Sequence, residues 1–203
     1  QLPVGLTVSA ADIVSLMQSG VTRQSTVGQL GASGTFTQTG AGAVARTMQS
    51  KLLDTVSVKD FGAIGDGVTD DTAAFNRASA YFDTQVALTV DAERYAYTYL
   101  VVPPGRYSIS SWDLTELLDR RLQVVMYGAA LIANTVGKHV IDCIGSRWLS
   151  FHGGVIYSSS SVIAKSGIQI GPKGSEGCGN NSFTDVHIIG YFDQAPMMNL
   201  GSE

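Results

Sequence analysis

Apolar residues fall on helical spacings at three places in this chain, and elsewhere they alternate with polar ones over short stretches closed by glycine. The first place is Thr7 to Gly20, where Ile13, Val14, Leu16 and Met17 supply an apolar side. Ser9 followed by Asp12 reads as a capping box and Gly20 as a stop, so a short helix is predicted. From Val21 to Gly42 the composition shifts to Thr, Ser, Gln and Gly, with pieces such as Thr35-Phe36-Thr37, which reads as linker or small strands. The second place is Ala43 to Leu53, where Val44, Met48 and Leu52 at i, i+4 and i+8 predict a helix with one apolar stripe. A helix so short needs a partner surface, supplied either by its own chain or by copies of itself around a symmetry axis. The third place runs from Thr72 to about Asp83, with Ala74, Phe75, Ala78, Tyr81 and Phe82 on one face.

The stretch before that third helix, VSVKDFGAIGDGVTDDTAAF from Val56 to Phe75, reads as a strand, a glycine-rich turn and a capped helix in succession. Gly62, Gly65 and Gly67 supply the positive φ angles of a reversal, and Asp66 beside Gly67 is turn chemistry. Asp70 or Asp71 is placed to accept from the free amides of the next turn and to face the positive end of the helix dipole. Two look-alikes fall away. Asp60-Phe61-Gly62 has no other kinase motif around it, and the three glycines have the wrong order for the dinucleotide fingerprint.

Downstream, YLVVPPGRYSIS from Tyr99 to Ser110 reads as strand, Pro-Pro-Gly turn, strand, and Trp112 to Arg120 as a small excursion. Three later strands end alike, in VVMYG at Gly128, LSFHG at Gly153 and VHIIG at Gly190, at intervals of 25 and 37 residues. The first interval suits a solenoid repeat, and the second implies a loop of about 12 extra residues, placed at Ser158 to Ser161 or Gly171 to Gly179. About three coils are visible on this reading.

Together with GAGAVARTMQSKLLD before it and VVPPGRYSI after it, the Val56 to Phe75 string resembles the start of the parallel β-helix of bacteriophage tailspikes, within the wider pectate-lyase-like superfamily. The resemblance is close over roughly Thr35 to Tyr107. It implies a mainly β chain: a small α/β virion-attachment region at 1–42, a helical neck at 43–54, and the first coils of a right-handed parallel β-helix at 55–203, with the helix near 72–83 as lid on the open first coil. It further implies a homotrimer with Val44, Met48 and Leu52 near the axis, a phage tail or baseplate protein bound through the N-terminus, and a bacterial surface polysaccharide as partner of the intact depolymerase. Assembly in the bacterial cytoplasm and residence in the virion follow from the same resemblance. Gln1 in the place of an initiator Met, and the close at Leu200-Gly201-Ser202-Glu203, lead to the expectation of a segment of a longer polypeptide. Two other readings stand beside it: a complete pectate-lyase-like enzyme, and a non-enzymatic tail adaptor.

Composition narrows the partners. A formal net charge of -4 gives no basic patch for a phosphate backbone, which argues against nucleic acid. No apolar run approaches the length of a membrane span. Charged residues make up only 15% of a chain with 23 glycines, a balance that suits strands and turns. Cys143 and Cys178 lack a CxxC spacing, which favours idle thiols over a disulfide.

Catalysis on glycans needs two carboxyl groups across the scissile bond, or a base near an acidic sugar. Asp70-Asp71 reads as a helix cap. Asp142, Asp185 and Asp193 lie on or beside predicted coil strands, where they serve equally as turn residues, so no catalytic residue is assigned. His139, His152 and His187 have no short-range metal spacing, though His152 and His187 can fall on one stacked row; no metal or cofactor is expected. Trp112, Trp148, Tyr157, Tyr191 and Phe192 suit sugar rings if outward and the core if inward. The Gly171 to Asn181 loop is either a glycan-facing element or a plain surface turn.

Overall fold

The computed structural model describes residues 13–18, 21–26, 34–85, 98–115, 117, 122–173 and 178–199. Its contacts divide the chain into Gln1–Thr55 and Val56–Glu203.

In the first unit β1 (Ile13–Gln18) and β2 (Val21–Thr26) form an antiparallel pair with Gln18 opposite Val21. The helix predicted over Thr7 to Gly20 is therefore overturned at Ile13 to Gln18. Strand pairing gives each backbone an immediate partner, which an isolated short helix lacks, and the two residues between the strands match the commonest hairpin loop length. The rest of that prediction lies outside the described residues. β3 (Thr35–Phe36) pairs antiparallel with β4 (Arg46–Thr47), and α1 follows at Met48–Leu52. The second predicted helix is thus cut to five residues. Gly40 and Gly42 hold positive φ, Arg46 and Thr47 are engaged in pairing, and the Thr47 hydroxyl caps α1 by accepting from the Ser50 amide at 3.0 Å. Val44 is not on the helix, so the stripe is broken; Val44, Met48 and Leu52 are exposed by 78%, 37% and 70%. Arg46 grips Asp54 through two bonds of 2.8 and 2.7 Å and holds its carboxyl down at about 2.

The second unit is a stack of coils, each crossing three parallel sheets. The first sheet runs β5 (Val56–Ser57), β7 (Thr98–Val101), β10 (Leu122–Val125), β13 (Ser150–His152), β16 (Ser182–Thr184). The second runs β6 (Asp66–Asp70), β8 (Gly105–Ile109), β11 (Ala129–Ala133), β14 (Val155–Ser158), β17 (His187–Gly190). The third runs β9 (Trp112–Asp113), β12 (His139–Ile144), β15 (Ser166–Gly171), β18 (Met197–Asn199). This is a parallel β-helix of four described coils above a partial first turn made by β5 and β6. Trp112 to Arg120, read as an excursion, begins with the third face of the first full coil.

Alternation explains the core. Leu100, Val124, Phe151 and Phe183 stand in register on the first sheet. Tyr107, Leu131, Ile156 and Ile188 do so on the second, and Trp112, Ile141, Ile168 and Met197 on the third. All of these from the first three coils are buried, each contributing on the order of 1.5–3 kcal/mol by leaving water. Phe151 and Phe183 stack at 5.1 Å, and Trp112 meets Phe151 edge-on at 6.0 Å. Cys143 is buried, both cysteines are free, and burial pushes the Cys143 thiol up.

The register corrects the repeat. Gly128 and Gly153 follow strands of the first sheet, but Gly190 ends β17 on the second. The true successor of Phe151 is Phe183, 32 residues on, against 27 from Val124 to Phe151. The insertion is five residues, not about 12, and lies between β15 and β16 within Gly171 to Asn181. Ile189-Gly190 resembled the other strand ends in sequence alone: Gly190 takes φ of 114° at the end of β17, where Ser158 stands in register on β14.

Candidate functional site

The glycine turn and the lid are one device. Ser57 and Asp60 form a capping box on a tight 3-10 turn at Val58–Phe61, and Gly62, Gly65 and Gly67 take φ of 93°, 74° and 81°. Asp66 gathers its own turn by accepting from the amides of Val68 and Thr69, which hold its carboxyl below the usual range. Asp70 accepts from the Thr72 hydroxyl and amide, with the same effect. Asp71 does not cap the next turn with its side chain as expected. Its carbonyl accepts from Ala74 and Phe75, while its buried carboxylate turns back to the amides of Ile64 and Gly65 at 2.7 and 3.1 Å.

From this anchor α2 (Thr72–Gln85) lies along the free edge of β9. Ala74, Phe75, Ala78 and Phe82 are buried, and the Phe75 ring meets Tyr107 at 5.3 Å and Trp112 at 4.9 Å. Its polar side chains supply what a missing strand would: the Thr72 hydroxyl accepts from the Ser110 amide at 2.8 Å and Asn76 from the Asp113 amide at 2.9 Å. Ser79 takes the Trp112 indole proton at 2.7 Å.

The candidate acids do not converge. Asp142 faces outward from β12 and accepts from the Ile144 amide; Asp185 stands at the corner between β16 and β17, and Asp193 between β17 and β18. The histidines are likewise dispersed. His152 pairs in register with Thr184 and His187 with Val155, on different sheets, so they share no row. His139 is on the third sheet, buried, with Nδ1 2.7 Å from the Ser166 hydroxyl. Among the described residues no group of three His, Cys, Asp or Glu can hold a metal. Trp112 is core, whereas Tyr157 and Tyr191 are outward.

One concave surface gathers Asp185 and His187, both weighed from the sequence, with Arg106 and Tyr127, which were not. A groove of about 580 Å³ lies at the corner between the first and second sheets, lined by Arg106, Tyr127, Asp185 and His187 around Gly105, Gly128, Gly153 and Gly154. Tyr127 is 54% exposed, and its ring lies so close over Gly153 that a Cβ there would come within 2.3 Å of it. Asp185 takes φ of 55° above Gly153, where the coil below has glycine. Asp185 and His187 were named from the sequence one by one, and Tyr127 sat just before Gly128 in a strand end noted only for its glycine, so nothing local joined them.

Comparison with known proteins agrees with this architecture. Residues 55–140 match the family described as rhamnogalacturonase A/epimerase, pectate lyase-like. A stretch of 40 residues is 55% identical to the tail spike protein of an Escherichia phage, covering 20% of this chain and 5% of that protein. ORF18 of Geobacillus virus E2 superposes with a TM-score of 0.51 at 16% identity, over 86% of this chain and 32% of that one. Tailspike protein 3 of bacteriophage CBA120 matches more loosely, with a TM-score of 0.30 at 16% identity, over 87% and 38% of the two chains. The chain thus spans about a third or less of the first two relatives. The pectate-lyase-like match begins one residue before the coil stack, and a stretch of 40 residues is 55% identical to a phage tail spike protein, so in sequence and architecture the chain is similar to pectate-lyase-like phage tailspikes.

Proposed function

We propose that this chain is the N-terminal segment of a tailspike: residues 1–42 attach to a phage tail or baseplate protein, 43–54 form the neck of a homotrimer, and the coils from 55 onward start the β-helix that brings the intact protein to a bacterial surface polysaccharide. The observation that carries this reading is the sealed first coil. A stack whose third sheet is closed at its lower edge by α2, through Thr72 and Asn76, is built to begin at this point, directly after a separate unit in the sequence. The depolymerase chemistry belongs to the intact spike, since Asp142 on β12 and Asp185 and Asp193 at two different corners do not converge.

Purified virions provide the test. The protein carrying this sequence should have a mass well above 21.4 kDa and should be labelled at the tail by antibodies against residues 56–203. A virion protein of that mass alone favours the adaptor, and absence from the virion defeats the reading. Residues 1–203 by themselves should release no reducing ends or unsaturated uronates from capsule or lipopolysaccharide glycans.

A further inference from the structure

The outward column of the second sheet runs Asp66, Arg106, Ala130, Val155, His187 in register. Arg106, with Asp66 on the strand below it, thus stands at one end and an imidazole at the other, with small apolar groups between. Beside this column the turn corner is lined by Gly105, Gly128, Gly153 and Gly154, whose missing side chains let Tyr107, Pro104, Tyr127 and Met126 close in on the backbone. Tyr127 lines that corner, and Asp185 closes the far end. Arg106 and Asp185 are separated by three strand spacings, about 14 Å, too far to pair with each other. Among the described residues, none of the side chains of Arg106, Tyr127, Asp185 and His187 has a hydrogen-bond or ionic partner.

We propose that this groove binds a short run of sugar residues lying along the axis of the coil stack, with one ring stacked on Tyr127. A pyranose is a flat amphipathic ring. Its apolar face suits an exposed aromatic ring, while its rim of hydroxyls needs acceptors and donors spread along the groove. Asp185 accepts from hydroxyls at one end, and Arg106 donates at the other, where an acidic sugar also finds its counter-charge. A nucleic acid is disfavoured by the formal net charge of -4 and by a groove that carries a carboxylate at one end against a single guanidinium at the other. The proposal deepens the reading that the intact protein meets a polysaccharide, and it gives these first coils a share in holding it.

The 203-residue chain, labelled with 15N-glycine, is titrated with maltohexaose, a galacturonate hexamer and a hyaluronan hexamer. At least one probe should shift the amides of Gly105, Gly128, Gly153 and Gly154. Tyr127→Ala should weaken that binding about tenfold and Tyr127→Phe should retain it, since the phenyl face is kept. Asp185→Asn, which keeps a residue tolerant of the left-handed backbone, should also weaken binding and guards against loss of fold in the alanine variant. Shifts confined to another face, unaltered affinity in both Tyr127→Ala and Asp185→Asn, or no binding of any probe overturns the groove. The virion mass is measured independently, so the groove can fail while the tailspike reading stands.

Discussion

Asp71 turns its carboxylate back onto the amides of Ile64 and Gly65, while its neighbour Asp70 faces solvent and accepts from Thr72. Their substitution should therefore differ. Asp71→Ala leaves two amides without a partner beside the core and should cost about 2–3 kcal/mol; Asp70→Ala should cost about 0.5–1 kcal/mol. Denaturant midpoints of the two single variants check this, and equal losses would mean that both are simple caps. The sequence identified this pair as structural but not the division of labour, because a cap and a backward-turning acceptor share the same local spacing. His139 adds a pH term. Burial first, then Lys165, pushes its imidazole below the ordinary value; Asp142 opposes this and Lys138 adds to it. Because the folded chain resists the proton, stability from this site is complete above the unfolded value of about 6.5 and is lost as pH falls through it. His139→Asn should flatten the stability profile between about pH 6.5 and 5, where ordinary carboxylates contribute little. A slope unchanged by the substitution would place the effect elsewhere.

At the scale of elements, the lid was legible because its apolar face repeats with helical period, and Thr72, Asn76 and Ser79 were not, since their partners lie more than 30 residues away in sequence. The strands were legible by alternation, but their assignment to sheets was not. A glycine at a strand end marks a corner without saying which corner, as Gly190 illustrates. The first-unit helices misled for the opposite reason: short apolar spacings fit a strand pair as readily as a helix turn when no partner is in view. Thr72→Val combined with Asn76→Ala should leave the Ser110 and Asp113 amides bare and lower stability by about 2 kcal/mol, with Trp112 emission moving toward that of a wetter indole. A variant as stable as the parent would show that the lid works by apolar cover alone. For the proposed neck, Met48→Glu with Leu52→Glu should reduce a trimer to monomers by light scattering while circular dichroism is kept; a wild-type monomer would end that proposal.

For the whole molecule, the buried cluster among the described residues lies within Val58–Ile168, so residues 56–203 carry a core of their own. Expressed without residues 1–55, they should melt cooperatively with the same parallel-sheet circular dichroism as the full chain. A broad, non-cooperative melt would show that the core depends on the first unit. The lower end of the stack also decides what these coils offer another chain. There α2 occupies the β9 edge, where a further strand would otherwise pair. Parallel strands pair head to tail, and a body with two complementary ends joins its copies without limit. With β9 covered, a second copy arriving from below finds no edge to extend on the third sheet, and an end-to-end joint between copies is left to the short β5 and β6 strands alone.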